Sequence, residues 1–302
     1  MPDPRNRTVS KGIRRRGRLL AEALRPPGGA PGRTRPAAPA RTDSADRADR
    51  VGDGYVAPRA TRLVESPVFL LSSVRSGSTL LRVLLNSHSQ IRAPHEMHLR
   101  TVHVRMGRDF TPGAMRELRL DKDELEHLLW DRVLHLELER SGKGQIVDKT
   151  PPNTLIWPRL DRCWPHARYL FLLRHPAAIV SSLVDRRTDP DLEQIHAEVL
   201  KYAERLEEAR RHLTGLTVRY EELTAEPEKV TREVCRHLGV EWEEDMLDYG
   251  SKDHGTFRPH IGDWSSTIRS GRVQPARLPA GTGALPPHLA RIAESWGYET
   301  EG

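Results

Sequence analysis

Cysteine, internal repeats and long apolar runs are scarce or absent in this chain of 302 residues. The two cysteines, Cys163 and Cys235, have no CxxC or histidine partner at metal-ligand spacing. They indicate reduced packing residues in a cytoplasmic protein and give no evidence for a bound metal. No run of about 20 apolar residues occurs, so the sequence predicts no membrane span. The absence of a repeat excludes solenoid and propeller architectures.

The positive charge of the chain is concentrated at its N-terminus. Residues 1–60 contain thirteen Arg and one Lys against six acidic residues, so this segment carries +8 while the remainder carries −2. The segment is rich in Pro, Gly and Ala and buries too little apolar surface to offset its ordering entropy. We therefore predict a disordered leader over residues 1–62 and a folded domain over 63–302. The positive charge of this leader is compatible with a weak, salt-sensitive contact with a polyanion.

Beyond Ser66 the chain alternates between strand and helix signals. Val68–Val74 is a continuous apolar run, typical of a strand buried on both faces, and Ser78–Ser87 follows with leucines at helical spacing. Further strands are predicted in "QIVDKTP", "ARYLFLLRHP" and "LTVRYEEL", and further helices over 123–140, 177–183, 195–213 and 227–238. The alternation predicts an α/β fold, P-loop-like, with a mostly parallel sheet flanked by helices.

In such sheets ligands bind beyond the carboxyl ends of the strands. The residues that directly follow the predicted strands are Arg75, Ser76, Gly77, Ser78 and Thr79, then Asp148 and Lys149, then Arg174, then Tyr220. Three cations and a cluster of hydroxyls thus converge on one edge of the sheet. The sequence predicts an anionic ligand there.

The turn from Arg75 to Thr79 stands at a helix N-terminus, where unpaired N–H groups and a partial positive charge attract anions. A triphosphate loop would read GxxxxGK[ST], with its Lys at the outer phosphates. Here Ser78 follows Gly77, and the cation of the turn is Arg75. This arrangement favours a terminal tetrahedral oxyanion next to a phosphate over a magnesium triphosphate.

A second motif, "LRHPAAIVSS", places Arg174 at the end of a strand and Ser182 eight residues later on the next helix. An arginine offers a planar fork that matches phosphate oxygens, and a serine hydroxyl adds a neutral donor. The two side chains can therefore hold one phosphate from two sides.

These segments resemble the sulfotransferases that use 3′-phosphoadenosine 5′-phosphosulfate (PAPS). "VRSGSTLLRVLL" is similar to the family's 5′-phosphosulfate loop, "LLRHPAAIVSS" to its 3′-phosphate motif, and "VRYEELTAEPEKVTREVCRHLGV" to the segment that follows. The resemblance covers about residues 66–245. Through "RSGSTLLRVLLNSHSQIRAPHEMHLR" and "VDKTPPNTL" it is closest to tyrosylprotein sulfotransferases and their bacterial relatives.

The resemblance implies a sulfotransferase that moves a sulfuryl group from PAPS to an acceptor hydroxyl by in-line transfer without a metal. It implies that Glu96 is the general base and that Lys149 and Arg75 are catalytic cations. It assigns PAPS binding to Arg75, Ser76, Gly77, Ser78, Thr79, Arg174, Ser182, Tyr220 and Arg269. The likeness around Arg269 is loose, and Arg272 is an alternative there.

Several alternatives stay open at this point. His95 is a second candidate for the base, and His175 stands where the family commonly has an acidic or polar residue. A P-loop nucleoside-phosphate kinase, or a polyanion-binding protein acting through its leader, is an alternative function. The sequence does not distinguish classes of acceptor, or a monomer from a homodimer.

Overall fold

Five parallel strands form the centre of the described structure, which confirms the predicted α/β fold. The computed structural model describes residues 61–255, 266–276 and 285–299. The strands are β1 (Val68–Ser72), β2 (Ile91–Arg92), β3 (Gln145–Asp148), β4 (Arg168–Leu173) and β5 (Gly215–Arg219). Their order in the sheet is β2-β3-β1-β4-β5, and every neighbouring pair is parallel. All five carboxyl ends therefore meet at one edge.

Alternating side chains bury both faces of the central strands. In β1, Val68 and Leu70 pack into one apolar layer, whereas Phe69 and Leu71 pack into the other. This follows from the period of two along a strand, which sends successive side chains to opposite faces. A continuous apolar run such as that of β1 is what a strand covered on both sides requires.

The described residues also form helices. They are α1 (Ser78–Ser87), α2 (Thr111–Glu117), α3 (Lys122–Ser141), α4 (Trp157–Cys163), α5 (Pro176–Val184), α6 (Leu192–His212), α7 (Tyr220–Ala225), α8 (Pro227–Leu238), α9 (Ser266–Arg269) and α10 (Pro287–Ser295). Asp121 caps the N-terminus of α3 by accepting a hydrogen bond from the backbone N–H of Glu124 at 2.7 Å, and Gly239 ends α8 in a left-handed conformation.

The structure corrects parts of the sequence interpretation. The segment "YEEL", predicted to continue a strand, is instead the start of α7, with Glu221 and Glu222 in its first turn. Acidic residues there favour a helix start because they complement the positive end of the helix dipole. The first strand ends at Ser72 and not at Val74. The sequence interpretation missed β2, α2, α4 and α9, which are all short.

The predicted leader lies outside the described residues as far as residue 60. Arg62 already contacts the rest of the structure: its guanidinium donates to both carboxylate oxygens of Glu124, at 3.1 and 3.0 Å, and to the Cys163 carbonyl at 2.8 Å. Within the described ranges, no helix combines the length and apolar character needed to cross a bilayer.

Candidate active site

A cavity of about 910 Å³ opens at the carboxyl edge of the sheet. It is lined by residues from the ends of β1, β4 and β5 and from the segment after β2. The residues predicted from the sequence that line it are Arg75, Gly77, Ser78, Thr79, Glu96, Arg174, Ser182 and Tyr220. The structure therefore brings together side chains that lie up to 145 positions apart in the sequence.

The turn after β1 reaches the cavity in a left-handed conformation. Arg75 has φ of +59° and Gly77 has φ of +85°. Gly77 also lies under the ring of Tyr220, since a Cβ at this position would stand 2.2 Å from Tyr220 Cδ2. Glycine is required here for both reasons.

Helix α1 begins directly after Gly77 and directs its N-terminus toward the cavity. Gly77 occupies the cap position, and its carbonyl accepts from the Leu80 backbone N–H at 2.9 Å. Ser78 and Thr79 are thus the first helical residues and not caps, and the first N–H groups of a helix have no acceptor within it. The hydroxyl of Ser76 donates to the Ser73 carbonyl at 2.8 Å, so this side chain stabilises the turn.

Arg174 is linked to Arg75 in the turn after β1. Arg174 Nη1 donates to the Arg75 carbonyl at 2.8 Å, and Arg75 Nε donates to Ser182 Oγ at 3.1 Å. The guanidinium of Arg174 lies 4.6 Å from the centre of the Tyr220 ring. Its Nε is buried and finds no acceptor within the described part of the chain. Burial lowers the pKa of Arg174, and the positive charge of Arg75 acts in the same direction.

Arginines dominate the charge of the cavity. Arg186 and Arg272 join Arg75 and Arg174 in its wall, whereas Glu96 is the one carboxylate among the described lining residues. Four guanidinium groups around one cavity repel each other, and an anion between them offsets this repulsion. The wall is therefore suited to a ligand that carries several negative charges.

Glu96 and Lys149 form a short ion pair at the edge of the cavity. Lys149 Nζ lies 2.5 Å from Glu96 Oε1 and 3.4 Å from Thr79 Oγ1. The lysine is only 1% exposed, and burial lowers its pKa, while the charge of Glu96 opposes this shift. The sheet order explains the contact, because β3, which ends just before Lys149, lies between β1 and β2.

Asp148 supports this pair from within the protein. Its carboxylate accepts from Thr150 Oγ1 at 2.7 Å and from Asn153 Nδ2 at 2.8 Å. Burial raises the pKa of Asp148, and these two hydrogen bonds oppose the shift. The backbone that carries Lys149 is thereby anchored.

The two candidate bases occupy different places. Glu96 lines the cavity, whereas His95 is absent from its wall and lies against Gly255, with its Nε2 3.1 Å from the position of a Cβ on that glycine. Burial and the nearby charge of Arg82 lower the pKa of His95. Of the histidines near Glu96 in the sequence, the interpretation singled out His95, whereas the structure places His98 in the cavity wall with its Nε2 3.5 Å from Glu96 Oε2. His98 has φ of +49°, so its direction was not readable from helix or strand periodicity.

The structure also separates the two late arginines. Arg272 lines the main cavity, whereas Arg269 lines a smaller cavity of about 410 Å³ that shares Tyr249 and Ile268 with it. The sequence interpretation also missed Arg186, which stands four residues after Ser182. Arg186 lies in the turn after α5, which ends at Val184, so helix periodicity did not mark it.

The parallel sheet, the glycine turn at a helix N-terminus and the surrounding arginines define an α/β fold with a cavity suited to an anion. The chain belongs to the sulfotransferase family, whose model matches residues 67–244, more than half of the sequence. The family membership predicted from the motifs is confirmed.

Relatives in sequence and structure agree with this assignment. The nodulation protein NoeE of Sinorhizobium fredii is 29% identical over 210 residues, which cover 57% of this chain and 50% of that protein. Protein-tyrosine sulfotransferase 1 of Danio rerio is 25% identical over 203 residues, covering 61% and 56%. The chain thus spans about half the length of these relatives.

Among solved structures, the sulfotransferase domain of the Synechococcus PCC 7002 olefin synthase aligns with a TM-score of 0.61 and 24% identity. The alignment covers 82% of this chain and 99% of that domain. This similarity shows that the two share a fold.

Proposed function

We propose that this protein is a sulfotransferase that moves a sulfuryl group from PAPS to an acceptor hydroxyl. The observation that carries the proposal is one cavity whose wall contains four arginines and Glu96, with the buried Lys149 paired to that Glu96. The arginines suit the negative charges of a doubly phosphorylated nucleotide. The carboxylate of Glu96 suits the removal of a proton from a hydroxyl acceptor.

The residues present fit such a donor. The buried Arg174 Nε finds no acceptor among the described residues, and a phosphate oxygen would provide one. Arg75, Ser182 and Tyr220 stand around Arg174, so a phosphate there would meet charged and neutral donors from several sides. The second anion position is the N-terminus of α1, which lines the cavity and whose positive dipole end attracts an anion.

When bound, PAPS supplies an activated sulfuryl group whose leaving group is a phosphate. We assign Arg174 and Ser182 to its 3′-phosphate, with Arg272 as the further arginine in the same wall. Gly77, Ser78 and Thr79 would hold the 5′-phosphate at the helix N-terminus, and the ring of Tyr220 covers this turn. Arg186 adds positive charge at the rim.

Glu96 is assigned the proton transfer. Its carboxylate faces the cavity and can accept the proton of a hydroxyl that comes within hydrogen-bond distance. Lys149 neutralises this carboxylate and, with Arg75, places positive charge where the sulfuryl oxygens would lie. Preorganised cations of this kind stabilise charge that develops during group transfer.

Gly77→Ala tests the donor site through the backbone. The new Cβ would clash with the Tyr220 ring, and φ of +85° is unfavourable for an L side chain. We expect at least roughly tenfold weaker binding of adenosine 3′,5′-bisphosphate, measured by calorimetry, because a displacement of the turn costing about 1.4 kcal/mol corresponds to that factor. Gly113→Ala on α2 is the matched control, because no atom lies within 4 Å of its Cβ position. Unchanged affinity in Gly77→Ala would refute the assignment.

The function itself is tested with labelled PAPS. Incubation with an extract of the host cell, followed by identification of the labelled product, should show transfer that depends on this protein. Thermal stabilisation by ATP with magnesium, and not by adenosine 3′,5′-bisphosphate, would support a kinase instead. If deletion of residues 1–60 removed the function of the protein, that result would support the polyanion-binding alternative.

The first acceptor to test is a tyrosine-bearing peptide, because the matched relatives include protein-tyrosine sulfotransferases. A panel of sugar, lipid and small-molecule hydroxyls should be assayed in parallel. Transfer to one of these and not to the peptide would set this chain apart from those relatives in acceptor choice.

A further inference from the structure

The segment that follows α10, Trp296–Glu299, packs against the turn that carries Arg174. It is fixed on two sides: Trp296 Nε1 donates to Glu207 Oε2 on α6 at 3.0 Å, and Arg219 Nη2 donates to the Trp296 carbonyl. Arg219 is the last residue of β5, and its guanidinium lies 5.5 Å from the centre of the Tyr298 ring. The segment therefore has a defined position at the carboxyl edge of the sheet.

Glu221 joins this segment to the turn after β4. One carboxylate oxygen, Oε2, accepts from the Tyr298 hydroxyl at 2.7 Å. The other, Oε1, accepts from the His175 backbone N–H at 3.1 Å. Both oxygens are thus engaged, and each holds a different part of the chain. Burial raises the pKa of the Tyr298 hydroxyl, so it stays protonated and remains a donor.

The His175 side chain completes the connection. Its Nδ1 accepts from the Ala177 backbone N–H at 3.1 Å at the start of α5, which leaves Nε2 to donate to the Glu299 carbonyl, also at 3.1 Å. The rings of His175 and Tyr298 are in contact, with centroids 5.1 Å apart. This explains a histidine at a position where the family commonly has an acidic or polar residue: it caps α5 and binds the C-terminal segment.

Arg174 immediately precedes His175, so the position of its guanidinium depends on this turn. The charge of Glu221 also acts on Arg174. We propose that Tyr298 is a positioning residue of the donor site, which holds the turn that presents Arg174 to the 3′-phosphate through Glu221 and His175. The inference rests on the proposed function, and it makes the C-terminal segment a part of donor recognition.

The test compares two nucleotides that differ only in the phosphate that Arg174 would bind. Calorimetry should measure the affinity of wild type and Tyr298→Phe for adenosine 3′,5′-bisphosphate and for adenosine 5′-monophosphate. Phenylalanine keeps the ring and removes one hydrogen bond to a carboxylate, so we expect roughly 5- to 30-fold weaker binding of the bisphosphate. Binding of the monophosphate should change by less than about twofold, a difference within the scatter expected for independent sites.

Tyr169→Phe is the matched control, because it removes a tyrosine hydroxyl that contacts a carboxylate, Asp161, and Tyr169 does not line the cavity. It should leave both affinities unchanged. Glu221→Gln, which can no longer accept both hydrogen bonds, should show the same selective loss as Tyr298→Phe. In an Arg174→Ala background, Tyr298→Phe should have no further effect on bisphosphate binding.

The outcomes separate the inference from the proposed function. Three results would overturn the positioning role. They are an equal loss of affinity for both nucleotides, additive losses in the variant that combines Arg174→Ala with Tyr298→Phe, and unchanged bisphosphate affinity in Tyr298→Phe or in Glu221→Gln. If the wild type did not prefer the bisphosphate over the monophosphate, the assignment of the 3′-phosphate site would be wrong, and this inference would fall with it.

Discussion

Glu96→Gln should lower kcat by roughly 10²- to 10⁴-fold, the usual cost of removing a general base. Glutamine has nearly the same shape and can still accept from Lys149, but it cannot take the proton of an acceptor hydroxyl. The affinity for adenosine 3′,5′-bisphosphate should stay within about twofold of wild type, because Glu96 is not assigned to the phosphates. Initial rates with labelled PAPS and calorimetry provide the two measurements.

The same variant should also change the pH profile. Lys149 is 1% exposed, burial lowers its pKa, and the charge of Glu96 raises it. Without that charge, the pKa of Lys149 falls further, so the lysine loses its proton at a lower pH than in wild type. The residual activity should therefore decline earlier as the pH rises.

Glu228→Gln provides the control for this experiment, since Glu228 lies on α8 in contact with the exposed Arg232 and away from the cavity. Wild-type turnover in Glu96→Gln would show that another group is the base, and His98, 3.5 Å from Glu96, would be the next to substitute. A loss of donor affinity as large as the loss of kcat would instead place Glu96 in binding.

Arg174→Ala should weaken adenosine 3′,5′-bisphosphate binding by roughly 10²-fold or more, because two hydrogen bonds from a charged group contribute about 1.5 kcal/mol or more each. The affinity for adenosine 5′-monophosphate should change far less. Arg174→Lys should recover only part of the loss, since an ammonium cannot reproduce the planar fork. Calorimetry with both nucleotides measures the effect, with Arg232→Ala on α8 as the control.

The two ligands are needed because Arg174 also donates to the Arg75 carbonyl. If its main role were to hold the turn after β1, both nucleotides would lose affinity equally, and the assignment to the 3′-phosphate would be refuted.

The sequence predicted the residues that stand next to their strands in the chain. Arg75 to Thr79 and Arg174 each follow a long apolar run directly, so locating the run also locates them. The start of α7 was not predicted, because β5 and α7 are continuous in sequence without a Gly or Pro between them. Sequence patterns of this kind mark a boundary only where a breaker residue stands.

The contacts within the site could be predicted only with knowledge of the strand order in the sheet. Glu96 and Lys149 are 53 positions apart, and only the placement of β3 between β1 and β2 explains their 2.5 Å contact. Arg272, His98 and Tyr298 reach the edge of the sheet through turns and a terminal segment that have no periodicity. Arg269 and Arg272 differ by three positions, and their separation into two cavities depends on local backbone geometry.

The strand order also separates two groups of site residues along the chain. On one side of β1, the segments after β2 and β3 carry Glu96 and Lys149, and on the other side β4 and β5 lead to Arg174, Ser182 and Tyr220. The turn after β1, between these two groups, carries Arg75 to Thr79 and borders both. The strand order therefore places the groups assigned to proton transfer on one side of β1 and those assigned to the 3′-phosphate on the other.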